Sequence, residues 1–338
     1  MADAMNICIC GGGGLGHTTA GVFSSMKGVQ VSMLTGHPEK WQKPFRVNDP
    51  YGRTFCGKIT NASHNPAELI PAADMVLLCL PAYLVEQTLR DIRPFLNDST
   101  IVGSVVGNTG FFVFAHQILP STTPLFAFQR VPYISRVTTY GEEANLLGYK
   151  SELLVATENI EQVDLFCKRL SELFVTPVSP LDSFYEVTLS NSNPILHTGR
   201  LYTMWKDWDG SPYAENPLFY YGWTIEASEI EIAMDEELFV LLKALNVSTK
   251  HFKTLLHHYE VTDACSLTQK LRSIPSYAEL RSPMKKVDGG WIPDVESRYF
   301  TEDFPYGLRM IRDLAHANNV PCPTIDKVYE WGTKMIQK

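Results

Sequence analysis

Two polar motifs in the second half of this 338-residue chain combine residue types that carry out acid–base chemistry on small molecules. The first motif contains Asn193 and His197, and the second contains Arg298 and Asp303. A histidine exchanges protons near neutral pH, and a carboxylate on its second ring nitrogen would fix its tautomer and orientation. A guanidinium group binds a carboxylate through two parallel hydrogen bonds. These residue types predict a proton donor or acceptor of fixed orientation and a group that binds a carboxylate.

The first motif lies in the segment 183–205, whose apolar spacing predicts one helix. Four polar residues of this segment are spaced four, three and four apart and would share one helix face, namely Glu186, Ser190, Asn193 and His197. Such a stripe is also typical of a solvated surface, or of a buried histidine with a partner. Pro194 favours a functional role, because a proline inside a helix costs about 3 kcal/mol and frees a carbonyl group. We therefore expect a kink next to Asn193.

The second motif has a structural interpretation as well. Glu302 and Asp303 stand just before a helix predicted to begin at Pro305, where a carboxylate gains about 0.3–1 kcal/mol from the helix dipole. Arg298 could also form an ion pair with Glu302. The residues alone leave the structural and the functional interpretation open.

A glycine-rich segment near the N-terminus matches the fingerprint of a dinucleotide site. The stretch reads CICGGGGLGHTTAG over residues 8–21 and joins a short apolar run to the start of a predicted helix. In the pattern Gly-x-Gly-x-x-Gly, the first glycine makes a tight turn, the second lets the backbone approach a pyrophosphate, and the third brings helix and strand together. A flexible spacer would need neither an apolar strand before it nor a helix directly after it. The expected cofactor contacts here are Gly11, Gly13, Gly14, Leu15 and Gly16.

The end of the second predicted strand, 29–34, bears on which dinucleotide is expected. An acidic residue there would bind the ribose 2′-hydroxyl of NAD. The chain instead continues through Thr35, His37 and Lys40, which could accommodate a 2′-phosphate, whereas Glu39 follows a proline. This exchange of charge predicts NADP as the cofactor, with NAD as the alternative.

Short apolar runs alternate with helical patterns over the first half of the chain, which predicts a doubly wound parallel sheet with a hairpin inserted at 45–59. Beyond Pro180 the pattern changes to long helical segments, at 183–205, 224–245, 248–259, 305–316 and 324–336. The predicted fold is an α/β N-terminal doubly wound dinucleotide-binding (Rossmann) domain over 1–180. An all-α C-terminal domain over 181–338 follows it and is expected to bind substrate and carry out catalysis.

The composition argues against several other classes of protein. A net charge of −8 disfavours nucleic acid as the main partner, because phosphate binding needs clustered lysine and arginine. No apolar run approaches the ~18 residues of a membrane helix, and no secretion signal is evident. Seven scattered cysteines indicate buried thiols in a reducing compartment, and the histidines and cysteines show no complete metal-ligand spacing. We therefore expect a cytoplasmic protein without a metal site.

The segment 202–223 is rich in aromatic residues, which could line a pocket for an amine substrate. Aromatic residues at this density are more often part of a core or of a homodimer interface. The sequence therefore allows a pocket, a core or a homodimer contact here.

The chain resembles the octopine/nopaline (opine) dehydrogenase family in its N-terminal fingerprint and in two motifs, Asn193-Pro194-x-x-His197 and Arg298-Tyr299-x-x-Glu302-Asp303-x-Pro305-x-Gly307-Leu308. The resemblance covers nearly the whole chain. It implies an enzyme that joins the amino group of an amino acid to a 2-oxo acid and reduces the resulting imine with a nicotinamide cofactor. Its partners would be these small molecules.

Matched motif by motif, the resemblance implies His197 as the acid/base, Asp303 as its carboxylate partner and Arg298 as the group that holds the oxo-acid carboxylate. Further expected substrate contacts are Asn193, Gln129 and Ser135. Leu80 and Pro81, where the predicted strand 73–80 ends, complete the expected cofactor contacts.

Two other functions fit a similar architecture. A simple 2-oxo acid reductase of the ketopantoate-reductase type needs no amine, but we expect a lysine on its interdomain helix, and none occurs between Lys168 and Lys206. A non-catalytic dinucleotide sensor would use the glycine-rich loop but would have no use for His197, Arg298 and Asp303 together. The motifs therefore favour the opine-type reaction.

Overall fold

The computed structural model describes residues 4–41, 43–108 and 110–337. The chain divides into two compact units, residues 1–190 and 191–338. The first unit extends past the expected boundary at 180, because Leu181 N donates to Val155 O at 2.8 Å and Gln129 Nε2 donates to Glu186 O at 3.0 Å. None of the helices in the described ranges has both the length and the apolar character that a bilayer crossing requires.

In the described part of the first unit there are twelve strands, which form one sheet of eight strands and one of four. They are β1 (Met5–Cys10), β2 (Val29–Leu34), β3 (Phe45–Asn48), β4 (Thr54–Gly57), β5 (Asn61–Ser63), β6 (Met75–Leu78), β7 (Ile101–Ser104), β8 (Leu125–Phe128), β9 (Tyr133–Thr139), β10 (Glu143–Tyr149), β11 (Leu153–Glu158) and β12 (Val178–Pro180). The large sheet has the order β12-β11-β8-β7-β6-β1-β2-β5, and the small sheet has the order β4-β3-β10-β9.

Six strands of the large sheet, from β8 to β5, run parallel to one another, which confirms the predicted doubly wound sheet. Its β11 pairs antiparallel with β8. The chain order reverses at β1, which lies between β2 and β6, and ligands of such sheets bind at the carboxyl ends of the strands at this point. The glycine-rich segment begins where β1 ends.

The helices of the first unit are α1 (Gly14–Ser24), α2 (Ala82–Ile92), α3 (Phe111–Ile118), α4 (Val163–Phe174) and α5 (Tyr185–Thr188). The small sheet packs on α1, which explains why this helix is built from small residues: a Cβ atom on Gly21 would lie 2.3 Å from Val47 Cγ2. The predicted hairpin at 45–59 is β3–β4 and is confirmed. The sequence analysis did not predict the hairpin β9–β10 that completes this sheet.

The second unit is mainly helical, as predicted. Its helices are α6 (Asn193–Trp205), α7 (Ile225–Ala244), α8 (Leu255–Tyr259), α9 (Ala264–Ser273), α10 (Arg309–Ala317) and α11 (Pro323–Ile336), with a π-helix over Tyr299–Leu308. A hairpin of β13 (Met284–Val287) and β14 (Gly290–Pro293) is added to them. Trp205, Phe219 and Trp223 of the aromatic segment are buried, so these side chains belong to the core of this unit.

The predicted helix over 183–205 is wrong, because the chain leaves the helical conformation between α5 and α6. Pro194 stands in the first turn of α6, where its missing N–H group costs nothing, so it begins a helix and does not kink one. The expected polar face is broken with it. The Glu186 carboxylate instead accepts hydrogen bonds from the backbone N–H groups of Asp182 and Ser183.

Two other predicted helix starts are also wrong. In the segment 248–259 the helix begins only after Thr254, whose hydroxyl accepts a hydrogen bond from His257 N. At 305–316 the helical conformation already begins at Tyr299 and contains Pro305. Pro305 cannot donate a backbone hydrogen bond, and the turn around it is widened: Arg309 N bonds to Phe304 O, five residues earlier.

Candidate active site

A cavity of about 470 Å³ opens at the carboxyl ends of β1, β2 and β6 in the first unit. The glycine-rich loop, the end of β2 and the residues that follow β6 form its walls. Its lining includes five predicted cofactor residues, namely Gly11, Gly13, Thr35, Leu80 and Pro81. Tyr140 and His64 also line it, and nothing in the sequence analysis singled them out.

The three fingerprint glycines occupy the three environments that dinucleotide binding requires. Gly11 has φ +112°, which an L-residue rarely adopts, and it makes the turn out of β1. A Cβ atom on Gly16 would lie 1.9 Å from Gly11 O, so only glycine lets α1 come this close to the loop. Gly13 is the N-cap of α1, and a Cβ atom there would have no atom of the described residues within 4 Å. Backbone N–H groups of the first turn of α1 are therefore available to a phosphate group.

The remaining predicted cofactor residues lie around this cavity but do not line it. Gly14 and Leu15 belong to the first turn of α1, and Leu15 packs against the core. His37 and Lys40 follow β2 and are exposed, and His37 Nδ1 lies 3.6 Å from Glu39 Oε1. The positive charge expected here therefore has a negative neighbour.

Tyr140 closes the other side of the glycine-rich loop. Its hydroxyl lies 3.0 Å from Thr35 Oγ1. His17 fastens the turn that carries Tyr140, because Gly141 N donates to its Nε2 at 2.7 Å and its Nδ1 lies 3.1 Å from Gly13 O. Burial lowers the pKa of His17, which favours the neutral ring that this pattern needs. The contacts of Tyr140 with Thr35 and of Gly141 with His17 join residues 105 and 124 positions apart, so no local pattern predicts them.

In the second unit the structure brings His197 and Asp303 together. His197 Nδ1 lies 2.8 Å from Asp303 Oδ2, and both side chains are largely buried, with exposed fractions of 14% and 16%. Since a carboxylate only accepts hydrogen bonds, Nδ1 carries a proton and Nε2 of the neutral ring has a lone pair. In this pair the carboxylate fixes the tautomer of the histidine, and the second ring nitrogen, Nε2, can exchange a proton.

The two motifs position this pair through a second contact. A Cβ atom on Gly307 would lie 2.3 Å from Pro194 Cγ, so the π-helix can approach α6 this closely only at a glycine. His197 stands one turn after Pro194, and Asp303 stands one turn before Gly307. The proline and the glycine therefore set the separation at which histidine and carboxylate meet.

A third side chain, Tyr220, lies on the opposite nitrogen of the histidine ring. Its hydroxyl is 3.2 Å from His197 Nε2. Burial raises the pKa of Tyr220, so the phenol keeps its proton. In the sequence, Tyr220 is one of several aromatic residues in the segment 202–223. The segment itself was the only available signal, and it does not say which ring touches the histidine.

Arg298 and Glu302 form a fork-to-carboxylate pair on the first turns of the π-helix. Arg298 Nε donates to Glu302 Oε1 at 3.0 Å and Nη2 donates to Oε2 at 2.7 Å. The arginine side chain is 83% exposed. The guanidinium group of Arg298 therefore binds a carboxylate through two hydrogen bonds, and in this structure that carboxylate is Glu302.

Of the other predicted substrate residues, Asn193 belongs to the second unit, and Gln129 and Ser135 belong to the first. Asn193 is exposed at the start of α6. Gln129 is buried in the first unit and donates to Glu186 O. Ser135 lies against the glycine-rich loop, where its carbonyl oxygen would be 3.4 Å from a Cβ atom on Gly14. The structure therefore groups Ser135 with the cofactor cavity.

Comparison with known proteins gives matches over both units. Residues 180–336 match the family described as NAD/NADP octopine/nopaline dehydrogenase, alpha-helical domain, and residues 7–109 match the ketopantoate reductase PanE/ApbA family. The chain is 28% identical to octopine dehydrogenase of Mizuhopecten yessoensis, over 99% of this chain and 90% of the relative. It is 25% identical to tauropine dehydrogenase of Arabella iricolor, over 98% of this chain and 91% of the relative.

A solved structure of octopine dehydrogenase with NADH and L-arginine superposes with a TM-score of 0.85 and 27% identity, over 99% of this chain and 90% of that chain. The matches therefore cover the dinucleotide-binding sheet, the helical unit and the order in which they occur. Together with the paired His197 and Asp303, they establish that this chain belongs to the octopine/nopaline (opine) dehydrogenase family.

Proposed function

We propose that His197 donates the proton, that Asp303 holds it in position and that Arg298 binds the oxo acid in the NAD(P)H-dependent reductive condensation of opine dehydrogenases. The chain is an enzyme of this class and acts on a CH–NH bond. The observation that carries the assignment is the 2.8 Å contact between His197 Nδ1 and Asp303 Oδ2, which leaves Nε2 as the proton-exchanging atom.

The proton has a defined place in the reaction. The amine of one substrate adds to the carbonyl carbon of the other, and loss of water leaves a C=N bond. Bound NAD(P)H supplies the hydride that reduces this bond. The net reaction consumes one proton, and protonated His197 supplies it from Nε2. Asp303 stabilises the imidazolium form and keeps the ring in the orientation required for transfer.

Arg298 would hold the carboxylate of the oxo acid. Its two donor atoms fit two carboxylate oxygens in the manner seen with Glu302, and the group is exposed to solvent. An arriving carboxylate would exchange with Glu302 or share the fork. Pyruvate is the first oxo acid to test, because a solved structure of octopine dehydrogenase, 26% identical to this chain, contains it.

The function is tested by following cofactor oxidation with NADPH and with NADH, using pyruvate or 2-oxoglutarate, each with and without pooled amino acids. An opine dehydrogenase requires both an oxo acid and an amine. Oxidation with an oxo acid alone would indicate a simple reductase, and cofactor binding without turnover would indicate a sensor.

We expect Arg298→Ala to raise KM for the oxo acid by about 10- to 100-fold, because two charge-assisted hydrogen bonds to the substrate carboxylate are lost. KM for the amine should change much less. The measurement is initial rate against oxo-acid concentration at saturating amine and cofactor.

Glu302→Ala is the matched control for this variant, because it removes the partner of Arg298 and leaves the guanidinium in place. We expect it to change KM for the oxo acid by less than about threefold. If the two variants have equal effects, the arginine serves only its pair with Glu302.

The cofactor preference is a finer question. The octopine dehydrogenase structure holds NADH, and a yersinopine dehydrogenase of similar fold, 10% identical, holds NADP+. The preference of this chain therefore depends on its own residues after β2. We propose that Lys40 and His37 favour the 2′-phosphate of NADPH, because no carboxylate directly ends β2.

Lys40→Ala should weaken NADPH by about fivefold and NADH hardly at all, because one exposed ion pair with the phosphate is lost. High salt should reduce the difference between the parent and the variant. The measurement is Kd for each cofactor by fluorescence titration at two ionic strengths.

Lys43→Ala is the control, since Lys43 is an exposed lysine nearby that pairs with Glu142 at 2.7 Å. A parent enzyme that prefers NADH, or equal losses for both cofactors, would show that the residues after β2 do not bind a 2′-phosphate.

The substrates are small molecules, and we further propose a cytoplasmic enzyme. All seven cysteines are free thiols, and five of them are buried, as a reducing compartment permits. A homodimer remains a prediction, which light scattering of the purified protein would test.

A further inference from the structure

The histidine of the proposed proton donor pair has hydrogen-bond partners on both ring nitrogens. Asp303 contacts Nδ1 at 2.8 Å, and the Tyr220 hydroxyl contacts Nε2 at 3.2 Å. We propose that Tyr220 is a positioning residue that holds the His197 ring and tunes its proton affinity, as the third member of an Asp303–His197–Tyr220 chain. The inference rests on the proposed function of His197.

Two neighbouring aromatic side chains, Tyr277 and Trp223, stack on the Tyr220 ring and hold it in place. It stacks on Tyr277 with a centroid distance of 4.1 Å and an angle of 20° between the planes. It also stacks on Trp223 at 5.3 Å and 4°. Because two parallel rings restrict its tilt, the hydroxyl can point in few directions, and His197 Nε2 is the partner that it meets.

The backbone that carries Tyr220 is an irregular segment, and two arginines fasten it. Arg200 donates from Nε to Phe219 O at 3.2 Å and from Nη2 to Gly222 O at 2.6 Å. Arg272 donates from Nε to Trp223 O at 2.8 Å. Guanidinium groups thus bind three carbonyl groups around Tyr220 and restrain this irregular segment.

A buried carboxyl group lies near one of these arginines. Glu231 is fully buried, and burial raises its pKa, while burial lowers the pKa of the neighbouring Arg200 to about 10. A Cβ atom on Gly199 would lie 2.8 Å from Glu231 Cγ, so α6 and α7 are in close contact at this point. The support of the Tyr220 loop therefore extends into the core of the second unit.

The Tyr220 hydroxyl forms a stronger hydrogen bond with the neutral His197 ring than with the protonated ring. When the ring is neutral, the phenol donates to the lone pair of Nε2. When the ring is protonated, Nε2 is itself a donor, and a phenol oxygen is a weak acceptor. The contact therefore holds the ring more strongly when Nε2 is unprotonated than when it carries a proton.

The other ionisable groups around His197 are the same in the parent and in a Tyr220→Phe variant. Those that face His197 or Tyr220 from the surrounding elements are Asp303, Tyr299, Tyr277, Tyr259 and Glu231. Because all of them are retained, a change in the titration of His197 would report the phenol O–H group.

Tyr220→Phe keeps the stacked ring and removes only the hydroxyl. We expect the titration midpoint of His197, followed by NMR of the imidazole signals in the substrate-free protein, to rise by about 0.4–1 pH unit, the size of one net neutral hydrogen bond. The signal is assigned by its absence in His197→Gln. In the reductive direction, the alkaline limb of the kcat profile should move to higher pH, and plateau kcat should fall about 10-fold.

Tyr221→Phe is the matched control, because Tyr221 is the next residue and its side chain is exposed. It should change neither the midpoint nor kcat. An unchanged midpoint in folded Tyr220→Phe overturns the proposal, even if kcat falls. If the parent is inactive with every oxo acid and amine, the proposed reaction is wrong, but the NMR titration still tests the Tyr220 contact. The two proposals can therefore fail independently.

Discussion

His197→Ala is expected to lower kcat by about 10²- to 10⁴-fold, which is the contribution of a positioned proton donor. The variant keeps the glycine-rich loop and the cavity at the end of β1, since these belong to the first unit. Cofactor affinity should therefore stay within about twofold of the parent, because no contact of the loop is changed. The loss should appear in kcat at saturating substrates and should reduce kcat/KM equally, as for an interaction made only in the transition state.

The control for this variant is His116→Ala. His116 lies in the first unit, where its Nε2 is 2.6 Å from Glu158 Oε2. The His116→Ala substitution should leave kcat unchanged. Measurements of kcat for reductive condensation and of Kd for the cofactor distinguish loss of chemistry from loss of fold. Full activity of His197→Ala would contradict the assigned mechanism.

Gly13→Val is expected to weaken cofactor binding by about 100-fold or more while the protein remains folded. Gly13 has φ −77° and ψ −173°, an extended conformation that valine adopts readily, so the backbone does not resist the change. No atom of the described residues lies within 4 Å of the added Cβ, so the core does not resist it either. The side chain would instead fill the space that the pyrophosphate needs.

Gly148→Val is a suitable comparison, since Gly148 lies on β10 and its Cβ would make only an ordinary contact, 3.7 Å from Ile134 Cδ1. Kd for the cofactor by fluorescence titration and Tm by calorimetry should separate the two variants. Equal cofactor affinity in the parent and in Gly13→Val would mean that the glycine is only part of a turn.

Several elements of both units could be predicted because a short stretch of the chain specifies each of them. A buried strand reads as a run of apolar residues, and the glycine pattern requires only six positions to specify turn, approach and helix start. The parallel sheet, the hairpin β3–β4 and the helix α7 followed from such patterns. The pairing of His197 with Asp303 came from the resemblance of the two motifs, since 106 positions separate these residues.

The predicted helix boundaries at 183–205 and 305–316 were wrong because interactions in the folded chain outweigh the local sequence pattern. Apolar spacing continues through 183–205, but Gln129 Nε2 donates to Glu186 O at 3.0 Å and joins α5 to the sheet of the first unit. Pro305 predicts a helix start, yet the π-helix begins at Tyr299 and accommodates the proline in a widened turn. Apolar periodicity records which residues share a helix face, so it indicates neither a hydrogen bond from a distant segment nor a widened turn at a proline.

The sequence by itself determined which residues could perform the chemistry, because side-chain type decides what can donate a proton, bind a carboxylate or leave room for a phosphate. Only the tertiary structure decided which of them meet. The contact of Pro194 with Gly307 sets the distance between His197 and Asp303, and the stacked ring of Tyr220 meets the remaining nitrogen. These are contacts between segments that are distant in the chain, and their geometry depends on how whole helices pack, which no local pattern of residues encodes.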